Sequence, residues 1–408
     1  MGRSQRPKRK RDGGGGDDLD KGVVNFFEKL ISEKDFKVDT PISSDTRLFF
    51  KTFFDAFNKT KVEINKDDIG EKKYKAGVFD HMNKKIKQYV DETMAYTYTY
   101  STFIGRKVNM EISFHEKQTK DNVSKYISMM VFWLQIVAMI ATEPCNEPLQ
   151  ITLFLSKLKK ILLGKCSTKS CVIDNTSINT GYSTRCSEIV IFREEEWFKV
   201  FVHETFHNFG LDFSWSQHYY NGSIKSFFNI TINKDIKLFE AYTEALARII
   251  NVLLLTYDAE KTNFEKFVSL ANTNMLLERA NSYFQSNKIL NYKGLDMDNL
   301  TSYDEQTASF SYYIIVAILY SDYQDFISWC INNNTKHHYI QFDLSNLKEK
   351  QRSFCDFIKS RAGRSSTFRK DLQLYKQRFF SKRNGTSTSD DYLNTYMKKS
   401  ILSRSLVA

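Results

Sequence analysis

Apolar residues along this chain recur at two different periods, and the switches between them mark out its elements. Over 23–31, 48–57 and 74–90 they stand three and four apart among lysines and acids, the spacing of amphipathic helices. Val108-Asn109-Met110-Glu111-Ile112-Ser113-Phe114 alternates instead and predicts a strand. The short runs 150–155 and 188–193, rich in β-branched and aromatic residues, predict two more. Residues 126–141 are apolar on nearly every side. They fall short of the roughly 20 residues of a membrane span and carry Gln135 near their middle, so they predict a buried helix rather than a transmembrane segment. Helical spacing resumes over 195–209, 236–256, 261–285 and 304–320, and more helix follows Asp322 before a polar, basic end. This order predicts an α+β fold. A small mixed sheet packs on the 126–141 and 195–209 helices and faces a mostly helical lower half. The expected divisions are a disordered basic and glycine-rich tail over 1–21, a helical N-terminal region over 22–95, a core domain over 96–335, and a helical C-terminal extension with a basic tail over 336–408.

The richest chemistry lies on the helix that follows the 188–193 strand. His203-Glu204-Thr205-Phe206-His207 puts two imidazoles one turn apart on one helix face, where they can converge on one metal ion, with Glu204 beside them to take a proton from water. Gly210, just past Phe209, is placed for a left-handed cap that stops the helix. Three protein ligands and one open position make a catalytic zinc site, whereas structural zinc sites close with four. The motif therefore points to a hydrolase with one zinc ion. His115-Glu116 is a decoy, because Thr119 stands where a second ligand would be needed.

The third ligand has to come from elsewhere. A pattern H-E-x-x-H-x-x-G-x-x-H would supply it from the same segment, but Phe213 occupies that last position. The next apolar helix carries Glu240 and Glu244 one turn apart. Glu240 is the leading candidate for the third ligand, and Glu244 is placed to accept the free N–H of a ligating histidine. Glu244, Asp212 and His218 stay open as alternative ligands, with Asp212 also readable as a turn residue or polar support.

His203-Glu-x-x-His207 followed by Glu240-Ala-Tyr-Thr-Glu244 resembles the gluzincin pattern of zinc metallopeptidases. The stretch from Ile178-Asn179-Thr180-Gly181 through 191–197 to 207–213 is similar to metallopeptidases of large nucleocytoplasmic DNA viruses. The resemblance implies a zincin-like core with zinc in the cleft between its halves, held by His203, His207 and Glu240. It also implies Glu204 as general base, Glu244 behind a ligand, and a peptide or protein substrate. For peptide hydrolysis a donor to the oxyanion is also required, and Tyr312 and Tyr313 are the candidates. The 188–193 strand is a candidate edge for pairing with an extended peptide, and Asn179 and Gly181, just upstream, are candidates to position its backbone.

Composition changes this picture at the margins. The chain has 408 residues, 41% hydrophobic, and a formal charge of +11, enough for a large core. Part of the charge is concentrated over 3–11 and 361–383, which fits nuclear import, nucleic-acid contact or solvated tails. The Gly13–16 run with Asp17 and Asp18 reads as a flexible linker. A basic start followed by glycines is not a secretory signal, so the expected location is inside the cell, in host cytoplasm or nucleus or in the virion. On that reading the six cysteines are expected to stay reduced. Cys166, Cys171 and Cys186 lack the paired spacing of a structural zinc site or disulfide framework. The competing reading is a basic structural or nucleic-acid-binding protein that retains an inactive peptidase core.

Overall fold

The computed structural model describes residues 15–38, 40–142, 145–162, 173–231, 234–380 and 396–402, with side chains from residue 21 onward. In chain order the elements are α1 (Gly15–Ser32), α2 (Ser44–Lys59), β1 (Gly70–Lys73), α3 (Lys84–Thr93), β2 (Tyr96–Ile104), β3 (Arg106–Phe114), α4 (Lys120–Ile140), β4 (Leu149–Phe154), α5 (Asn175–Ile178), β5 (Gly181–Ser183) and β6 (Glu188–Ile191). There follow α6 (Trp197–Asn208), α7 (Asn221–Phe228), α8 (Leu238–Ala259) and α9 (Phe264–Lys293). A π-helical turn (Phe310–Ile315) then runs directly into α10 (Val316–Ser321), and α11 (Tyr323–Asn333), α12 (Leu347–Ala362) and α13 (Thr367–Phe379) follow.

The six strands form one mixed sheet in the order β1-β2-β3-β4-β6-β5. β1, β2 and β3 are antiparallel neighbours, β3, β4 and β6 run parallel, and β5 returns antiparallel along the edge of β6. Alternation sets the faces. Val108, Met110 and Ile112 of β3 are buried toward α4, while Lys107 is exposed. The opposite face is covered by a separate small cluster in which Met82, Ile86, Val90 and Met94 of α3 and its flanks meet Phe154, Val190 and Phe192. The central strands are thus covered on both sides, as parallel strands require. On the far side of α4 and α6 the large core continues without a break into the helical lower half, from Phe27 of α1 and the phenylalanines of α2 to Ile358 of α12.

The α+β organisation, the mixed sheet and the buried α4 agree with the chain's patterning. Within α4, Trp133 is fully buried and donates its indole N–H to Thr205 Oγ1 at 2.7 Å. The helix is long and apolar enough to span a bilayer, but most of it lies inside the fold.

Several expectations need correction. The helix expected over 74–90 begins only at Lys84, where Asn83 caps it. Upstream of it, Tyr74 and Phe79 act as separate anchors edge-on to Phe154, and 70–73 is a strand paired with β2. The 188–193 strand is no edge, because β6 lies between β4 and β5 and the edge is β5. The glycine-rich linker gives way to helix at Gly15. The basic run 361–383, as far as it is described, spans the end of α12, a turn over 363–366 and α13, with Arg361, Arg369 and Arg378 paired to Asp325, Asp298 and Glu33. Residues 397–401, expected in a disordered tail, are buried. Cys145 and Cys186 form a disulfide, although no C-x-x-C spacing announces it, because the fold rather than the sequence interval brings them together. Cys166, Cys171 and the 3–11 run lie outside the described residues.

Candidate metal centre

α6 is fixed at both ends before it presents any chemistry. Its N-terminal flank is Glu196, which has a left-handed backbone at φ 57° and is buried against the Lys160 ammonium at 2.5 Å. Its C-terminus closes with two capping bonds, Gly210 N–H to the His207 carbonyl at 3.2 Å and Leu211 N–H to the Phe206 carbonyl at 2.8 Å. Gly210 sits at φ +66°, a conformation that glycine adopts without penalty. Phe201 and Phe206 are fully buried on the core side of the helix, which turns His203 and His207 toward α8. Burying each phenylalanine contributes about 1.5–3 kcal/mol.

The first turn of α8 delivers Glu240 to the two imidazoles. His203 Nε2 and His207 Nε2 are 3.1 Å apart, and Glu240 Oε2 lies 3.3 Å from the first and 3.4 Å from the second. A tetrahedral zinc with ligands about 2.0–2.1 Å away sets its ligand atoms about 3.3–3.4 Å from one another. The triangle found here matches that spacing, and among the described residues it is the group of His, Cys, Asp and Glu side chains able to hold a metal ion. The donor set, two nitrogens and a carboxylate oxygen, is also the one zinc accepts in hydrolytic sites.

A second layer holds these ligands. His207 Nδ1 meets Asp212 Oδ2 at 2.5 Å, and Asp212 is held in turn by Thr243 Oγ1 at 2.8 Å and by Ser214 N–H and Oγ–H. Glu244 Oε2 lies 3.1 Å from His203 Nδ1, off the line of a hydrogen bond, so the contact is electrostatic. Lys199 at 2.8 Å and Arg248 at 3.0 Å clamp the Glu244 carboxylate. Tyr312 donates its hydroxyl proton to Glu240 Oε2 at 2.9 Å.

Burial disfavours charge on Glu240, Glu244 and His207, yet proximity outweighs it. Glu240 is held well below the usual carboxylate range by hydrogen bonding and charge from His203 and His207. Glu244 is held down by Lys199 first, then Lys399. His207 is raised well above an ordinary histidine, because the Asp212 charge and hydrogen bond, then Glu240, exceed the burial penalty.

Glu204 is buried on the same helix, and its Oε2 accepts a hydrogen bond from Ser183 Oγ at 2.7 Å. Ser183 belongs to β5. Phe192 N–H donates to the Thr180 carbonyl and Thr184 N–H to the Glu188 carbonyl, so by antiparallel alternation the main-chain groups of Gly181 and Ser183 point away from β6. No strand among the described residues covers that side. A Cβ on Gly181 would come within 2.7 Å of the Val190 carbonyl, so the close strand approach depends on glycine.

The remaining candidates are placed elsewhere. Asn179 is occupied, its carbonyl accepting from Arg193 Nε and its side chain from Thr307. Tyr313 turns away from its neighbour Tyr312 and donates to the Met397 carbonyl at 2.7 Å. His218 stacks on Phe239 at the surface, centroids 5.1 Å apart, and is no part of the triangle.

Ser183 and the Lys199 and Arg248 clamp carry no mark in the sequence, since strand pairing and helix packing alone bring them in. The disulfide bears on the site as well. Cys186 ends the β5 side of the hairpin turn, its N–H donates to the Asn208 carbonyl at the end of α6, and Arg106 bridges the Cys186 carbonyl and Asn208 Oδ1. No protein-family model, curated protein or solved structure matches this chain.

Proposed function

We propose that this chain is a zinc-dependent metallopeptidase of gluzincin type, with His203, His207 and Glu240 as ligands. The observation that carries the reading is the triangle of donor atoms at 3.1, 3.3 and 3.4 Å, the spacing of a tetrahedral zinc site already formed by side chains held from behind.

Zinc, when bound, supplies Lewis acidity to a water and to the scissile carbonyl. Glu204 takes the proton of that water and returns it to the leaving nitrogen, while Ser183 holds the carboxylate in one orientation. Tyr312 gives its one hydroxyl proton to the developing oxyanion by releasing Glu240 Oε2, to which it donates in the resting site. Asp212 and Glu244 fix the ring orientations of His207 and His203. The open side of β5, through the main-chain groups of Gly181 and Ser183, accepts an extended peptide as an added strand.

A closed structural site has no need of a buried carboxylate like Glu204 beside its ligands, which favours catalysis over an inactive binding protein. The test is cleavage of a mixed peptide library by zinc-loaded wild type and Glu204→Gln. Glu204→Gln is expected to keep its zinc and lose about 100-fold or more in turnover. Equal cleavage by both proteins, or none by fully loaded wild type, would refute the peptidase reading.

A further inference from the structure

Residues 396–402 return to the back of the metal centre after an interval outside the described residues. The socket that receives them joins supports of the centre, Glu196 at the start of α6 and the Tyr312–Tyr313 turn, to residues of α9. Met397 N–H donates to the Lys160 carbonyl at 3.0 Å, and Tyr313 donates to the Met397 carbonyl. Lys399 and Ser400 N–H groups donate to the two oxygens of Glu196, the residue that opens α6, at 3.2 and 2.7 Å. Ser400 Oγ and the N–H groups of Ile401 and Leu402 all converge on Glu278 Oε1, and Asn281 donates to the Lys399 carbonyl. These are buried carboxylates and a buried backbone with their hydrogen bonds made by each other. Without the segment Glu278 would lose these donors, which is costly in an apolar interior.

The side chain thus carried inward is Lys399. Its ammonium lies 3.3 Å from the centroid of the Tyr312 ring and 3.9 Å from Glu244 Oε2. Tyr312 touches Glu240, and Glu244 touches His203. Lys399, which burial pushes down to about 7 against the pull of Glu244, therefore rests on the two groups that stand directly behind two of the three candidate ligands, and is a cation there below that pH. We infer that the 396–402 segment is a working part of the centre and that Lys399 is a positioning residue, holding Tyr312 by cation–π attraction and Glu244 by charge so that Glu240 and His203 meet the metal in register. The inference rests on the zinc reading above.

The experiment compares full-length wild type and Lys399→Met, which keeps an unbranched side chain one atom shorter and removes the charge. The readouts are zinc affinity by chelator competition, the visible absorption of the cobalt(II)-substituted protein, and thermal stability. Positioning predicts a loss of zinc affinity of about tenfold or more and an altered cobalt spectrum. It also predicts a smaller loss when Lys399→Met is made in a Glu244→Gln background, because coupled residues are not additive. Should Lys399→Met not fold, Lys399→Gln, which keeps a donor toward Glu244, carries the same readouts. Unchanged zinc affinity and cobalt spectrum beside lowered thermal stability would make Lys399 a purely structural cation and overturn the inference while leaving the zinc reading intact. No zinc in wild type would overturn both.

Discussion

A metal ion entering this centre has to displace a proton from His207. In the metal-free protein that imidazole faces Asp212 at 2.5 Å and Glu240 at 3.4 Å, which together raise it well above its ordinary value despite burial, and zinc binds only the neutral ring. The sign follows. A histidine raised in the folded state contributes stability that is fully present below the unfolded value of about 6.5 and is lost as pH rises through the folded one. Zinc affinity runs the other way. It is expected to climb about tenfold per pH unit through neutrality instead of levelling off near 6.5, and Asp212→Asn should bring the plateau down toward that value while weakening binding about 10- to 100-fold. Zinc titrations against a chelator at several pH values check both. At this scale the motif was legible: two imidazoles and Glu204 follow from helical spacing, and Glu240 from the next helix carrying its acid in an apolar setting. Asp212 was legible only as one of several possibilities, because a residue beyond the helix end owes its direction to the Gly210 turn. Tyr312 and Tyr313 were indistinguishable as sequence, and only the helical rotation between neighbours sends one to Glu240 and the other to Met397.

Among the elements, α6, α8 and β5 carry the site, and α6 and β5 each depend on a glycine for a different reason. At Gly210 the backbone is left-handed, and a Cβ would meet the Arg185 guanidinium at 3.4 Å. Gly210→Ala should cost about 1 kcal/mol or more, read as a lowered midpoint in denaturant, and should loosen His207 by shifting the turn that aims Asp212. Strand and helix signals behaved differently along the chain. β3 and α8 were readable because their apolar period matches their burial, and β4 and β6 because short β-branched and aromatic runs suit strands buried on both faces. β2 carries an alternating Tyr-Thr run over 96–100 that is itself a strand signal, yet it passed without a strand assignment. β5, with three residues, is too short to show a period at all. Its identity is a product of pairing with β6, and the open edge it supplies could not have been assigned from its own residues.

Taken as a whole, the molecule is held by one core that joins the lower face of the sheet to the helical half, and by two long-range ties that no local pattern encodes. One is the buried 396–402 segment. The other is the Cys145–Cys186 disulfide, which closes an interval of 41 residues and pins the β5–β6 turn to the connection between α4 and β4, beside the end of α6 that Cys186 N–H already holds. By loop entropy such a link contributes on the order of 4 kcal/mol, so reduction of the folded protein should lower its thermal stability by an easily measured amount, compared by calorimetry with and without reductant. A disulfide persists in an oxidising setting, which runs against the expectation that the cysteines stay reduced. The basic charge of the chain was legible as composition but not as arrangement: several of the cations of the 361–378 run prove to be in ion pairs on α12 and α13.

The central claim is that His203, His207 and Glu240 hold one zinc ion. Elemental analysis of the purified protein, after equilibration with zinc and removal of the excess, tests it most directly when wild type is set beside His203→Ala, His207→Ala, Glu240→Ala and Glu204→Gln. The expected result is about one zinc per chain in wild type and Glu204→Gln, none in the histidine variants and weakened retention in Glu240→Ala. Zinc absent from folded wild type, or retained at full stoichiometry when either histidine is removed, would contradict it.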